Sequence, residues 1–207
     1  MNPTPVGPSV TRVVMIRHGE VENHDRGIYN GQLDVDITPK GVRDMERAAA
    51  FLAGAEVRHI YSSDLRRTVR GAAIIAGRLG LDGEGTQVPQ LREIHLGEWQ
   101  GLSAEEVDAR YPGMREARLA DIVNARPPGG ETVADLSGRV VPAVLEIVER
   151  HRGETVAVVA HAGTNRMVLC HALGVPLERV FSIEQDYGAI NVIDFHPDRT
   201  VVRLVNG

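Results

Sequence analysis

Nearly continuous apolar runs predict two buried strands, at residues 10–16 and 155–160. A strand without polar alternation is typical of a parallel sheet that is covered on both faces. Further strands are predicted at 57–62, 189–195 and 201–205. The last two are separated by His-Pro-Asp-Arg, a turn signal that predicts an antiparallel hairpin in the C-terminal part of the chain.

Segments with helical periodicity lie between the predicted strands. They cover residues 40–53, 65–79, 103–110, 133–150 and 164–173. Ser103 followed by Glu106 resembles a capping box, which predicts a helix start. The alternation of strands and helices predicts an α/β fold, a three-layer α/β/α sandwich with a mostly parallel mixed sheet. Residues 111–128 show weak periodicity, and we expect there a flexible excursion over one end of the sheet that serves as a lid.

Length and composition indicate one globular domain. The 207 residues suffice for a single α/β core, which we place at 11–207, with a loose tail at 1–10 that lacks signal-peptide features. A net charge of −5 without a basic run argues against nucleic acid, and no apolar stretch is long enough to span a membrane. The single Cys170 excludes an internal disulfide. We therefore expect a cytoplasmic protein, with a homodimer as one possible assembly.

Three predicted strands end in polar residues of unusual chemistry. Arg17-His18-Gly19 follows the first strand, Ser62 to Arg67 follow the second, and His161-Ala162-Gly163 follow the third. Ligand sites of open α/β sheets form at the carboxyl ends of the parallel strands. We therefore expect these residues to meet at one edge of the sheet.

Two arginines at a predicted helix start point to an anion. With Ser63 or Asp64 as the N-cap, Arg66 and Arg67 fall in the first helical turn. Cations there oppose the helix dipole, at a cost of about 0.3–1 kcal/mol each when exposed, so a bound anion would explain them. We expect Arg66 to point into solvent, whereas Arg67 could face either solvent or an anion.

The residues at the strand exits are suited to phosphoryl transfer. Arg17 and Arg67 can clamp a phosphate through planar, multi-donor guanidinium groups. His18 can act as the nucleophile, and a protonated His161 can donate to the same phosphate. A general acid must serve the leaving alcohol, and residues 91–101 offer Glu93 and Glu98, between which spacing alone does not choose.

Motifs for other chemistries are missing from the sequence. It contains no HExxH, no CxxC and no paired metal-ligand histidine spacing, so its eight histidines do not indicate zinc. It also lacks GxSxG, GxxxxGK[ST] and GxGxxG motifs. We expect neither a metal nor an organic cofactor.

Four sequence blocks, in order, resemble the histidine phosphatase superfamily, also called phosphoglycerate mutase-like. They are "RHGE", "YSSDLRRTVRGAAIIA", "LREIHLGEWQGLS" and "VAVVAHAGTNR". The resemblance covers nearly the whole chain after residue 10. It implies that His18 is phosphorylated during turnover and that Arg17, Arg67 and His161 surround the phosphate. It also implies that Glu93, rather than Glu98, is the acid.

The chain departs from this family pattern on the substrate side. His24 stands where members often carry Asn, Asn30 stands before Gly31 where Gln is common, and Ala162 follows the last histidine. His24, Asn30, Gly31 and Ala162 are therefore the expected substrate contacts, together with the phosphate ligands. "RPPGGETVADLSGRV" and "IEQDYGAINVIDF" look most like members that act on α-ribazole 5′-phosphate.

The sequence thus predicts a metal-independent phosphomonoesterase for a small phosphorylated metabolite. The alternative enzyme is a phosphoglycerate mutase-type phosphotransferase, although the short segment between Trp99 and Gly129 favours a phosphatase. The alternative from another class is a non-catalytic phosphate-binding regulator. An intact nucleophile and an intact acid argue against it, because binding alone requires neither.

Overall fold

The protein is described by a computed structural model that covers residues 6–207. Half of the predicted tail, residues 1–5, lies outside the described residues, and residues 6–10 form neither helix nor strand. Within the described part, one sheet contains six strands. They are β1 (Thr11–Arg17), β2 (Val57–Ser62), β3 (Thr86–Gln87), β4 (Thr155–Ala160), β5 (Ile190–Phe195) and β6 (Thr200–Leu204).

The strand order is β3-β2-β4-β1-β5-β6. The first four strands of this order pair in parallel, whereas β5 is antiparallel to β1 and β6 is antiparallel to β5. The mixed sheet and the C-terminal hairpin are therefore confirmed. Because β4 lies between β1 and β2, the carboxyl ends of these three strands are adjacent.

Helices cover both faces of the sheet. They are α1 (Pro39–Leu52), α2 (Arg66–Leu79), α3 (Ala104–Arg110), α4 (Met114–Ala120), α5 (Val133–Arg150) and α6 (Ala162–Leu173). Val13 and Met15 of β1 pack in a core with α5 and α6, whereas Val14 and Ile16 pack in a second core with α1 and α2. The predicted three-layer sandwich is confirmed, since successive residues of the buried strand face opposite layers. None of the helices within 6–207 is long and apolar enough to cross a membrane.

The N-cap of α2 differs from the prediction. It is Leu65, which makes no side-chain capping bond, rather than Ser63 or Asp64. The Ser63 hydroxyl is engaged by His161, and both Asp64 carboxylate oxygens bind the Arg92 guanidinium at 2.5–2.6 Å. The predicted capping box of Ser103 and Glu106 is present at the start of α3.

The segment 111–128 is more regular than predicted, because it contains the helix α4. None of the residues of α4 is buried, which explains why the sequence there shows no apolar stripe. Tyr111 and Met114 pack against a small core that includes Trp99 and Val107. The first part of the segment is therefore packed against the protein. Its function as a lid stays a prediction.

Candidate active site

The three predicted strand exits meet at one edge of the sheet. Arg17 ends β1 and His18 follows it, Arg67 lies in the first turn of α2, and His161 follows β4. The rings of His18 and His161 are 5.2 Å apart between centroids. Arg67 Nε donates to His161 Nδ1 at 3.2 Å. The structure therefore brings together the four basic side chains that the sequence singled out.

His18 is held with one ring nitrogen bonded and the other free to react. Its Nδ1 lies 2.8 Å from the Gly19 carbonyl oxygen. A carbonyl can only accept, so Nδ1 carries the proton and Nε2 keeps its lone pair. A Cβ on Gly19 would lie 2.2 Å from the Gly41 carbonyl oxygen in α1, so the close approach of these two segments requires glycine here.

The electrostatics keep the His18 imidazole neutral. Burial lowers its pKa well below 6.5, and the positive charges of Arg67 and Arg17 lower it further. A neutral imidazole in the fixed tautomer is the form that can attack phosphorus. His18 is thus in its nucleophilic form at neutral pH.

Arg17 is fixed on one side and open on the other. Its Nη1 donates to the Gln185 carbonyl oxygen at 2.6 Å, and its guanidinium lies 4.0 Å from the centre of the Tyr187 ring. Its Nε is buried and has no partner within residues 6–207. A buried donor without a partner is costly, so this N–H is suited to an oxygen of a bound phosphate.

The support of Arg17 includes residues that sequence analysis missed. The Gln185 side chain accepts hydrogen bonds from the amides of Asn165 and Asn191 at 3.0 and 2.8 Å, and all three residues are buried. This amide cluster fixes the backbone turn that holds Arg17 and Tyr187. A signal existed in the sequence: Asn191 is one of two polar residues in a mostly apolar strand, where a buried amide needs specific partners.

Arg67 is one of the most buried cations, with 2 % of its surface exposed. Its Nη1 and Nη2 donate to the carbonyl oxygens of Leu33 and Gly31 at 2.5 and 2.7 Å. Burial lowers its pKa to about 10, so it stays charged at neutral pH. Arg66 is exposed, as predicted, and its backbone N–H donates to Asp34 Oδ1 at 2.7 Å. Of the two arginines, Arg67 therefore faces the site.

His161 is neutral, and both of its ring nitrogens are occupied. Nδ1 accepts from Arg67 Nε, so Nε2 carries the proton and donates to Ser63 Oγ at 2.8 Å. The Ser63 hydroxyl in turn lies 2.7 Å from Thr68 Oγ1. Burial and the charge of Arg67 lower the His161 pKa well below 6.5. Donation from His161 to a phosphate therefore requires an oxygen to replace its contact with Arg67 and a proton to be gained.

Glu93 is held at the site by a hydrogen bond from the first turn of α6. Its Oε2 accepts from the backbone N–H of Gly163 at 3.0 Å and its Oε1 accepts from that of Ile94 at 2.8 Å. Glu98, in contrast, is exposed and accepts from the hydroxyl of Tyr111 at 2.5 Å. The structure thus places Glu93, and not Glu98, against Gly163, which lies two residues after His161.

The expected substrate contacts are distributed around this edge. Asn30 exchanges two amide hydrogen bonds with Asn23, at 2.6 and 3.1 Å, next to Gly31, whose carbonyl binds Arg67. Ala162 is the half-buried first residue of α6. His24 is exposed, and its Nδ1 lies 3.0 Å from the Val21 carbonyl oxygen. Asn30, Gly31 and Ala162 adjoin the phosphate ligands, whereas His24 is turned toward Val21.

The chain is similar to known proteins over most of its length. The model of the histidine phosphatase superfamily (branch 1) matches residues 13–207. Glucosyl-3-phosphoglycerate phosphatase of Mycolicibacterium vanbaalenii is 37 % identical over 179 residues, which is 82 % of this chain and 77 % of that protein. Phosphoserine phosphatase 1 of Hydrogenobacter thermophilus is 32 % identical over 197 residues, 95 % of this chain and 92 % of the relative.

Solved structures show the same fold. The α-ribazole phosphatase of Shigella flexneri superimposes with a TM-score of 0.84, over 95 % of this chain and 96 % of that structure. Its sequence identity is 23 %, so this likeness concerns the fold.

Proposed function

Because the chain belongs to the histidine phosphatase superfamily and is a phosphatase, we propose that it hydrolyses small phosphate monoesters through a phosphohistidine on His18. The observation that carries the proposal is the state of His18. It is a buried, neutral imidazole whose proton lies on Nδ1, so that Nε2 keeps its lone pair, and the charges of Arg67 and Arg17 help to lower its pKa.

In the first step, His18 Nε2 attacks the phosphorus atom of the ester. A P–N bond forms while the P–O bond to the leaving alcohol breaks. Arg17 and Arg67 stabilise the charge on the transferring group, as a metal ion does in other phosphoryl-transfer sites. Glu93, in its protonated form, gives its proton to the leaving oxygen. The proton on His18 Nδ1 stays on the ring and is stabilised by the Gly19 carbonyl.

In the second step, water attacks the phosphohistidine. The Glu93 carboxylate takes one proton from the water while the P–N bond breaks. Phosphate leaves, His18 returns to its neutral form, and Glu93 is protonated again. The sum is ester plus water to alcohol plus phosphate, with the enzyme unchanged.

Two alternatives are distinguished by what happens to the phosphoryl group. A mutase would return it from His18 to another hydroxyl and release little phosphate. A regulator would bind phosphate without turnover. The neutral nucleophile argues against the regulator, because a site that only binds a dianion gains from a protonated histidine rather than a neutral one.

The substrate is proposed to be a small phosphorylated metabolite. The sequence resemblance supports α-ribazole 5′-phosphate, whereas the relatives above 30 % identity include proteins named glucosyl-3-phosphoglycerate phosphatase, phosphoserine phosphatase and phosphoglycerate mutase-like protein. The buried thiol of Cys170 and the net charge of −5 support a cytoplasmic site of action without nucleic acid. The described residues do not test a homodimer, which stays a prediction.

A panel assay of the purified chain tests the proposal. Phosphate release is measured, as kcat/KM, from α-ribazole 5′-phosphate, glucosyl-3-phosphoglycerate, phosphoserine and 3-phosphoglycerate, with His18→Asn as the control. We expect at least one monoester to be hydrolysed by the wild type and none by the variant. Isomerisation of 3-phosphoglycerate without phosphate release would indicate the mutase, and phosphate binding without any turnover would indicate the regulator.

A further inference from the structure

Three metal-ligating side chains meet away from the candidate active site. His59 lies on β2, His151 is the C-cap of α5, and Glu154 immediately precedes β4. The ligand atoms that they offer all lie within 4.8 Å of one another. Glu154 precedes the amino end of β4 and His59 lies in the first half of β2, whereas His18 and His161 follow the carboxyl ends of β1 and β4. This group is therefore separate from the phosphate pocket.

The three donor atoms are spaced for one ion. Glu154 Oε2 lies 2.8 Å from His151 Nδ1 and 3.5 Å from His59 Nε2. Zinc bonds of 2.0–2.2 Å to nitrogen and oxygen place two ligand atoms of a tetrahedral site about 3.4 Å apart. Small side-chain rotations therefore suffice to replace the hydrogen bond between Glu154 and His151 by two bonds to a shared ion.

His151 has the outer partner that a metal-bound histidine needs. Its Nε2 lies 2.7 Å from the hydroxyl oxygen of Tyr61, which is buried on the same strand as His59. When Nδ1 binds an ion, Nε2 carries the ring proton and donates it to the Tyr61 oxygen, which fixes the ring. The His59 ring lies against the His151 ring, with centroids 4.2 Å apart.

An irregularity in the backbone of β2 orients the His59 side chain toward His151 and Glu154. The pairing of β2 with β4 shifts register between Val57 and His59, and such an irregularity re-aims a side chain. The His59 and Glu154 side chains are 45 % and 36 % exposed, whereas that of His151 is 7 % exposed. An ion thus has one rigid buried ligand and two ligands that solvent reaches.

We propose that His59, His151 and Glu154 form a binding site for Zn²⁺ or a similar divalent transition ion, which ties α5 to β2 and β4. Two imidazoles and one carboxylate are a ligand set that suits zinc, with water in the remaining position. Because the group lies at the opposite end of the strands from His18, the ion takes no part in the phosphoryl transfer, and its effect is to link α5 to the sheet. In the sequence, His151 and Glu154 are three residues apart, but His59 is distant, which hides the site from motif searches.

Binding is tested on the full chain after treatment with EDTA and removal of the chelator. Added Co²⁺ should give the visible absorption bands of a tetrahedral site at one equivalent per chain, and Zn²⁺ should displace it. Zinc at a hundredfold excess over Kd should raise Tm by roughly 5–10 °C. His59→Gln and Glu154→Gln should lose both signals, whereas the exposed His171→Gln, in α6, should keep them.

His18→Asn distinguishes this site from the phosphate pocket. The variant should keep the cobalt bands, because His18 is not a ligand of the proposed site. Loss of the bands in His18→Asn together with their retention in His59→Gln would overturn the proposal, as would a wild type that takes up no Co²⁺. Since Glu154→Gln also removes a hydrogen bond to His151, the exposed His59→Gln decides the test if Glu154→Gln does not fold.

Discussion

Gly163→Ala should impair the chemistry of Glu93 without replacing Glu93 itself. Gly163 lies in the first turn of α6, and its N–H donates to Glu93 Oε2 at 3.0 Å. A Cβ at this position would lie 2.1 Å from Glu93 Oε1 and 3.3 Å from Leu136 Cδ2. The Leu136 contact is tolerable, but the contact with Glu93 is not.

The size of the effect follows from the displacement. A relaxed carbon–oxygen contact needs about 3.3 Å, so Glu93 Oε1 must withdraw by about 1.2 Å. A displacement of that size at a reacting group costs on the order of 10²-fold in rate. The fold should tolerate the change, because the carboxyl ends a flexible side chain and alanine favours a helix by up to about 1 kcal/mol over glycine.

The assay compares kcat/KM, which reports only the steps up to formation of the phosphohistidine, for an alkyl phosphate and for p-nitrophenyl phosphate, whose leaving group departs without a proton. Only the alkyl phosphate should be slowed about 10²-fold in Gly163→Ala. The matched control is Gly138→Ala in α5, where a Cβ would meet nothing within 4 Å. Full activity of Gly163→Ala on alkyl phosphates would refute the assignment of Glu93 as the proton donor. An equal loss with both substrates would show that the substitution disturbs the phosphate pocket instead.

The remaining predictions concern the acid, metals and pH. Glu93→Gln should slow alkyl phosphate hydrolysis by about 10²–10⁴-fold, whereas Glu98→Gln should be mild, and an exchange of these phenotypes would show that the acid is misplaced. EDTA should leave kcat unchanged because Arg17 and Arg67 supply the positive charge, and a loss that a divalent ion restores in His59→Gln as well as in the wild type would contradict this. Because the pKa of His18 is lowered in the folded state, the folded state binds fewer protons than the unfolded state below pH 6.5. The free energy of unfolding should therefore decrease as the pH is lowered below 6.5, by up to about 1.4 kcal/mol per pH unit for this group. His18→Asn should reduce that dependence in urea titrations at pH 7 and 5.5, with His161 supplying the remainder, and an unchanged slope would show that His18 is protonated in the fold.

The sheet was predictable because its strands are apolar runs with sharp polar ends. The bounds of β2, β4 and α5 agree with those predicted, since β2 and β4 end at their polar exits and Thr132 opens α5 with a capping box. The helix α4 was not predicted, because none of its residues is buried and no hydrophobic period marks it. The short β3 pairs only two residues with β2, too few to leave a pattern.

The candidate site was predictable where residues follow parallel strands. The exits of β1, β2 and β4 must meet once these strands are neighbours, which accounts for Arg17, His18, Arg67 and His161. Tyr187 was not predicted as a site residue, because it lies in the turn before the antiparallel β5 and contacts Arg17 only through tertiary packing.

Local spacing also could not show which atoms meet. The spacing predicts Ser63 or Asp64 as a helix cap, yet in three dimensions Ser63 Oγ lies 2.8 Å from His161 Nε2, ninety-eight residues away. The choice between Glu93 and Glu98 depends in the same way on where α6 begins, since the Gly163 N–H is the group that holds Glu93.

The most direct test of the phosphohistidine mechanism is to trap the phosphoryl group on His18. The chain is mixed for milliseconds with a ³²P-labelled monoester, quenched in base and digested, and the labelled peptide is sequenced by mass spectrometry. We expect base-stable, acid-labile label on the peptide that contains His18, at up to one equivalent per chain, and none in His18→Asn. Label on another residue, or near-normal turnover by His18→Asn, would contradict this mechanism.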